Sequence, residues 1–165
     1  MKKCAESSTG PLVEAPPEPK QLYPEPVPDA TEVLALIQGS TFFAANRHGD
    51  LMPPSAPQIG LFYEDTRFLS QLELLVNSQT PLVLSSTIVD ADSSRVELTV
   101  RGRPVTDDSL DIPVNTVYVH RYQLLGNDTF YETLEIQNFH NAEVTLTVEL
   151  RFAADFMDIF QVRGL

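Results

Sequence analysis

The chain has 165 residues, room for one domain with a respectable core plus a tail. A net charge of −12 with no basic stripe argues against nucleic acid as a partner, because phosphate backbones call for clustered Lys and Arg. Hydrophobic content of 42% and charged content of 21% are those of an ordinary globular protein, so composition alone says nothing further about chemistry.

Residues 1–30 form a leader rich in Pro, Glu and Ser, with Pro11, Pro16, Pro17, Pro19, Pro24, Pro26 and Pro28. It lacks backbone donors and apolar area, so it is expected to be disordered or extended. The single cysteine, Cys4, lies in this leader, which rules out an internal disulfide and a thiolate metal cluster. Met1-Lys2-Lys3-Cys4 has the outline of a lipoprotein start, but no apolar stretch precedes the cysteine. No run approaches the length of a membrane span. Asn127-Asp128-Thr129 is a glycosylation sequon without a secretion signal. No membrane partner is expected, and the cytoplasm is the expected compartment.

The domain is expected over residues 31–165. A short apolar run at 33–37, a Gln38-Gly39-Ser40 turn and a second run at 41–46 predict a β-hairpin. Asn46-Arg47-His48-Gly49-Asp50 suits a tight turn, and Pro53, Pro54 and Pro57 mark a loop. Residues 60–76, GLFYEDTRFLSQLELLV, hold the densest pattern. Along an extended strand residues two apart share a face, so Asp65 and Arg67 are expected to pair as a clamp at a strand entrance. Glu64 and Asp65 alternate in direction and make a poor catalytic pair.

From Phe68 onward the period is two. Leu72, Leu74 and Val76 share a face, and 77–81 make a loop. Strands follow at 82–89 and 96–100, with a turn at 90–94 between them and a polar loop at 102–113 after them. Further strands are expected at 114–125 and 130–136, separated by a turn at Gly126-Asn127-Asp128. The clearest alternation comes last: Val144, Leu146, Val148, Leu150 and Phe152 against Thr145, Thr147, Glu149 and Arg151, which predicts one buried and one solvated face. Helical periodicity is nearly absent. The expected fold is an all-β, antiparallel β-sandwich.

Little in this pattern is catalytic. His48, His120 and His140 lie in separate segments without ligand spacing, and Asp90-x-Asp92 lacks the remaining ligands of a calcium loop. No serine sits in a nucleophile elbow and no Gly-rich phosphate cradle appears, so no metal, cofactor or catalytic residue is assigned. Among Phe42, Phe43, Phe62, Tyr63, Phe130 and Tyr131 most are expected in the core, with a sugar-stacking platform as the functional alternative. At the C-terminal end, residues 152–164 set Asp155 and Asp158 between large hydrophobes, with neither a capped helix nor a polar tail in view. That stretch reads as architecture cut midway.

Three ordered motifs carry a resemblance: Phe43-x-x-Asn46-Arg47-x-Gly49-Asp50, then Gly60-Leu61-Phe62-Tyr63-x-Asp65-Thr66-Arg67-Phe68-Leu69-Ser70, then Phe152-x-Ala154-Asp155-Phe156-x-Asp158-Ile159-Phe160-x-Val162-Arg163-Gly164. Tyr131-Glu132 and Ile136-x-Asn138 fit between them. Over residues 38–165 the chain resembles the N-terminal domain of bacterial amylo-α-1,6-glucosidase-type glycogen debranching enzymes. The resemblance implies a non-catalytic β-sandwich that precedes and scaffolds an (α/α)6 barrel, and the barrel would supply the carboxylates of glycoside hydrolysis. It implies a chain inactive alone, a barrel domain or separate barrel polypeptide as partner, and α-glucan as a further partner. The alternative role is a stand-alone α-glucan-binding module. Asn46, Arg47, Asp50, Tyr63, Asp65, Arg67, Asp155, Asp158 and Arg163 are the candidate binding or barrel-interface residues. Gln161 stands where an acid is expected, and Glu64 where a base is common. Exposed hydrophobes in 156–160 would favour self-association.

Overall fold

A computed structural model describes residues 33–52, 58–102 and 112–164 of the chain. The Pro-rich leader, the loop at 53–57 and most of the expected polar loop at 102–113 lie outside the described residues.

Among the described residues, alternating and β-branched runs become ten strands. The first sheet holds β1 (Leu34–Gln38), β2 (Thr41–Ala45), β3 (Gly60–Tyr63) and β4 (Thr66–Leu69) in sequence order. A second pairs β5 (Gln71–Val76) with β10 (Val148–Ala153), and a third holds β6 (Leu82–Asp90), β7 (Ser93–Thr99), β8 (Val117–Gly126) and β9 (Thr129–Asn138). Every pairing is antiparallel. The expected all-β antiparallel architecture is therefore present.

One apolar cluster holds the sheets together. Leu36 and Phe43 come from the first, Leu74 and Val76 from the second, and Val96, Leu98, Val117 and Val119 from the third. At roughly 1.5–3 kcal/mol for each fully buried side chain, this burial is the main force behind the fold. The β8–β9 hairpin turns on Asn127 (φ 51°) and Asp128 (φ 55°), the two positive angles that a two-residue type I′ turn requires and that Asn and Asp tolerate.

Three expectations need correction. The period-two pattern of residues 60–76 is broken at Glu64-Asp65, which form the turn between β3 and β4, so Asp65 and Arg67 do not lie on one extended strand. Alternation does not survive a turn, and no Asp65–Arg67 pair forms. Second, the strand predicted from Val144 begins only at Val148, and its apolar residues Val148, Leu150 and Phe152 are exposed. Third, a capped helical turn, α1 (Ile159–Val162), does follow β10.

Candidate functional site

The nine sequence-predicted residues fall into two groups, and each group is organised around an arginine. The first sits where the chain leaves β2. The Asn46 side-chain oxygen accepts the backbone N–H of His48 (2.8 Å) and of Asp50 (3.0 Å), closing the loop on itself. Gly49 has φ +78°, and a Cβ there would meet the Gln123 amide at about 2.9 Å, so glycine is required both for conformation and for space. Gln123 donates to the Gly49 carbonyl at 2.8 Å.

Asp50 is buried and reaches two other elements. One of its oxygens accepts the Leu74 N–H of β5 at 3.1 Å and the Arg121 Nη1 of β8 at 2.5 Å. Arg121 is wholly buried; it also donates to the His48 carbonyl (2.8 Å) and, through Nε, to Glu132 of β9 (2.5 Å). This one loop thus ties β2, β5, β8 and β9, which belong to all three sheets. A buried guanidinium needs its charge matched, which Asp50 and Glu132 do here, while Arg121 Nη2 has no hydrogen-bond partner among the described residues. Arg47, by contrast, is exposed. Burial holds the His48 imidazole below its ordinary value, with the neighbouring Asp50 carboxylate opposing the effect.

Arg121 and Gln123 were not among the predicted residues. The signal was present, because both stand on the apolar face of the Val117, Val119, Leu125 alternation, where a charged residue needs an explanation.

The second group joins the β3–β4 hairpin to the segment after β10. Arg67, buried on β4, donates from Nε to Asp155 Oδ1 (3.2 Å) and from Nη2 to Asp155 Oδ2, a two-pronged pair. Arg67 hydrogen bonding holds the Asp155 carboxyl below its usual range. Backbone bonds run alongside: Ser70 N–H to the Ala153 carbonyl (2.8 Å), Arg67 N–H to that of Met157 (2.9 Å), and Ile159 N–H to that of Asp65 (2.8 Å). Asp65 therefore contributes its carbonyl to the seam. Asp158 caps α1 by accepting the Phe160 N–H (2.8 Å), while Gln161 accepts the Asp158 N–H (3.2 Å). This reciprocal capping box works with Glu or Gln alike, so the departure at Gln161 leaves the helical turn intact. Arg163 closes the turn through its N–H to Ile159 and lies with Phe42, Phe62 and Glu64 around a cavity of about 320 Å³.

Aromatic rings border this seam. Tyr63 packs edge-on against Phe68 (centroids 6.3 Å), and Phe68 against Phe156 (5.7 Å). Phe156 has φ 53°, a left-handed conformation that is uncommon for a bulky residue, and is 63% exposed. Phe160 is 59% exposed. Tyr63, Phe68, Phe62 and Phe130, with Thr41 and Asp128, line a cavity of about 380 Å³. Of the six aromatics noted in the sequence, Phe43 and Phe62 are buried, Phe42 and Phe130 half-buried, and Tyr63 and Tyr131 exposed.

A family model described as the N-terminal domain of some glycogen debranching enzymes matches residues 36–165, which span all three motifs. The chain belongs to this family. No curated protein and no solved structure matches it. The motifs of this glycogen debranching N-terminal domain are thus two knots of hydrogen bonds, one inside the core and one at the surface. Three of their carboxylates are engaged: Asp50 is buried against Arg121, Asp155 is paired with Arg67, and Asp158 caps a helix.

Proposed function

We propose that this domain is the non-catalytic scaffold of a glycogen debranching enzyme, and that the surface around residues 154–163 seats an (α/α)6 catalytic barrel. The observation that carries this reading is a rigidly held segment that presents hydrophobes outward. Arg67, Asp155 and the capping box fix its backbone, yet Phe156 and Phe160 are left largely open to solvent. Ordering a segment costs conformational entropy, and exposing large apolar side chains on it recovers nothing unless something covers them. Asp65, Arg67, Asp155, Asp158 and Arg163 are then the residues that shape the seat, and the hydrolytic carboxylates belong to the barrel. Coexpression with a polypeptide carrying the barrel of a glycogen debranching enzyme tests this. A complex that co-purifies, and that Phe156→Ala with Phe160→Ala weakens, supports the scaffold; failure of the folded wild-type domain to bind removes it.

The second reading is an α-glucan-binding module, favoured by the aromatic cavity of Tyr63, Phe68, Phe130 and Asp128. Sugar C–H faces pack on aromatic rings while a carboxylate accepts their hydroxyls. Calorimetric titration with branched and linear α-glucan oligosaccharides separates the two. Saturable heat abolished by Tyr63→Ala places the glucan on the domain; no heat from folded protein leaves the scaffold alone.

A further inference from the structure

The exposed apolar residues of β10 form a second uncovered surface, distinct from Phe156 and Phe160. In its register with β5, Val148, Leu150 and Phe152 lie opposite Val76, Leu74 and Leu72, so the two rows share one face of the sheet. The β5 row is buried in the core, whereas Val148, Leu150 and Phe152 are 40%, 44% and 73% exposed. Among the described residues β10 has a strand partner on one edge only. The Asn77 N–H donates to the Thr147 carbonyl at 2.8 Å, and the Thr147 N–H reaches the Asn77 side chain at 3.0 Å. Thr147 thus turns its backbone groups toward Asn77, just past the end of β5, and in the same alternation Glu149 and Arg151 turn theirs to β5. By the alternation of antiparallel ladders, those of Val148, Leu150 and Phe152 point to the open edge.

This edge complements itself. The run Val148-Glu149-Leu150-Arg151-Phe152 is symmetric about Leu150 in polarity and opposite about it in charge. Placed antiparallel against a second copy with Leu150 on the two-fold axis, it sets Leu150 against Leu150, Val148 against Phe152, and Glu149 against Arg151. The apolar rows then meet on one face and two opposite-charge pairs form on the other. Arg151 is already held over that face by Glu149 (2.7 Å) and Glu73 (3.8 Å). The parallel in-register arrangement would instead set Glu149 beside Glu149 and Arg151 beside Arg151, which is repulsive. We infer that a second copy of this chain pairs through the free edge of β10, as an antiparallel two-fold that joins two β5–β10 ribbons into one four-stranded sheet.

The inference stands apart from the barrel reading, so either fails without the other. Sedimentation of the intact chain is expected to give a dimer that dissociates on dilution. Glu149→Arg should raise its dissociation constant about tenfold by placing Arg beside Arg, and adding Arg151→Glu should restore it. In a Cys4→Ser background, Leu150→Cys should cross-link to its own copy under mild oxidation, since hydrogen-bonded pairs lie within disulfide reach. Glu149→Cys, offset from the axis, should not. A monomer at every concentration, an association unmoved by the charge variants but lost with Phe160→Ala, or equal cross-linking at 149 and 150 would each overturn the pairing.

Discussion

Arg121 and Arg67 do the same electrostatic work in opposite settings. Both are buried guanidiniums held by family-motif carboxylates, Asp50 for Arg121 and Asp155 for Arg67. Arg121 lies where three sheets converge, with no side-chain surface open and with partners that are also enclosed. Arg67 lies at a rim, and its partner Asp155 remains partly solvated. Removing a charge from the first setting strands the others in a low-dielectric core, while in the second, water takes over the orphaned group. One motif therefore specifies the fold and the other specifies how a surface segment is presented.

The largest effect should come from Arg121→Ala. It leaves Asp50 and Glu132 without their cation and should cost about 3–5 kcal/mol, a fall of roughly 10 °C or more in Tm by thermal denaturation. A drop no larger than that of a surface substitution would erase the distinction drawn between the two arginines. Arg67→Ala should cost less, about 1–2 kcal/mol globally, because Asp155 can be hydrated. Its signature should be local: faster limited proteolysis within residues 153–162 while the core melts as one unit. Arg67→Lys should rescue little of this, since a single ammonium cannot reproduce the two-pronged geometry.

Gln161→Ala should be smaller again, about 0.5 kcal/mol, and Gln161→Glu should be neutral, because either side chain can accept the Asp158 N–H. The smallest effect is one of pH. The His48 imidazole is held below its ordinary 6.5 in the folded chain, so the unfolded chain binds the proton first. The stability this contributes is full above 6.5 and is lost progressively as pH falls below it. Melting curves between pH 7.5 and pH 5 should show that decline, and His48→Asn should flatten it.

Much of the architecture was visible in the alternation of apolar residues: the hairpins, the inward row Leu72, Leu74, Val76 and the all-β class follow from period two and turn chemistry. Alternation names two faces of a strand but not what covers them. That is why 144–152, the cleanest pattern in the sequence, became a strand only from Val148 and left its apolar row open. Proximity misled at Arg67: Asp65 is two residues away, yet the partner is Asp155, 88 residues further on, because Glu64-Asp65 is spent on a turn. Arg121 was legible as a charge on an apolar face, though its partners in Asp50 and Glu132 could be assigned only once the sheets were stacked.

The central claim is that the Arg67 seam, and not the Arg121 knot, is the part of the domain that meets a barrel. Hydrogen exchange on the domain, alone and with the barrel polypeptide added, tests it most directly. The account predicts new protection in residues 154–163 on binding, with 46–51 and 117–125 already protected and unchanged. Protection appearing elsewhere, with 154–163 left exchanging as in the free domain, would contradict it.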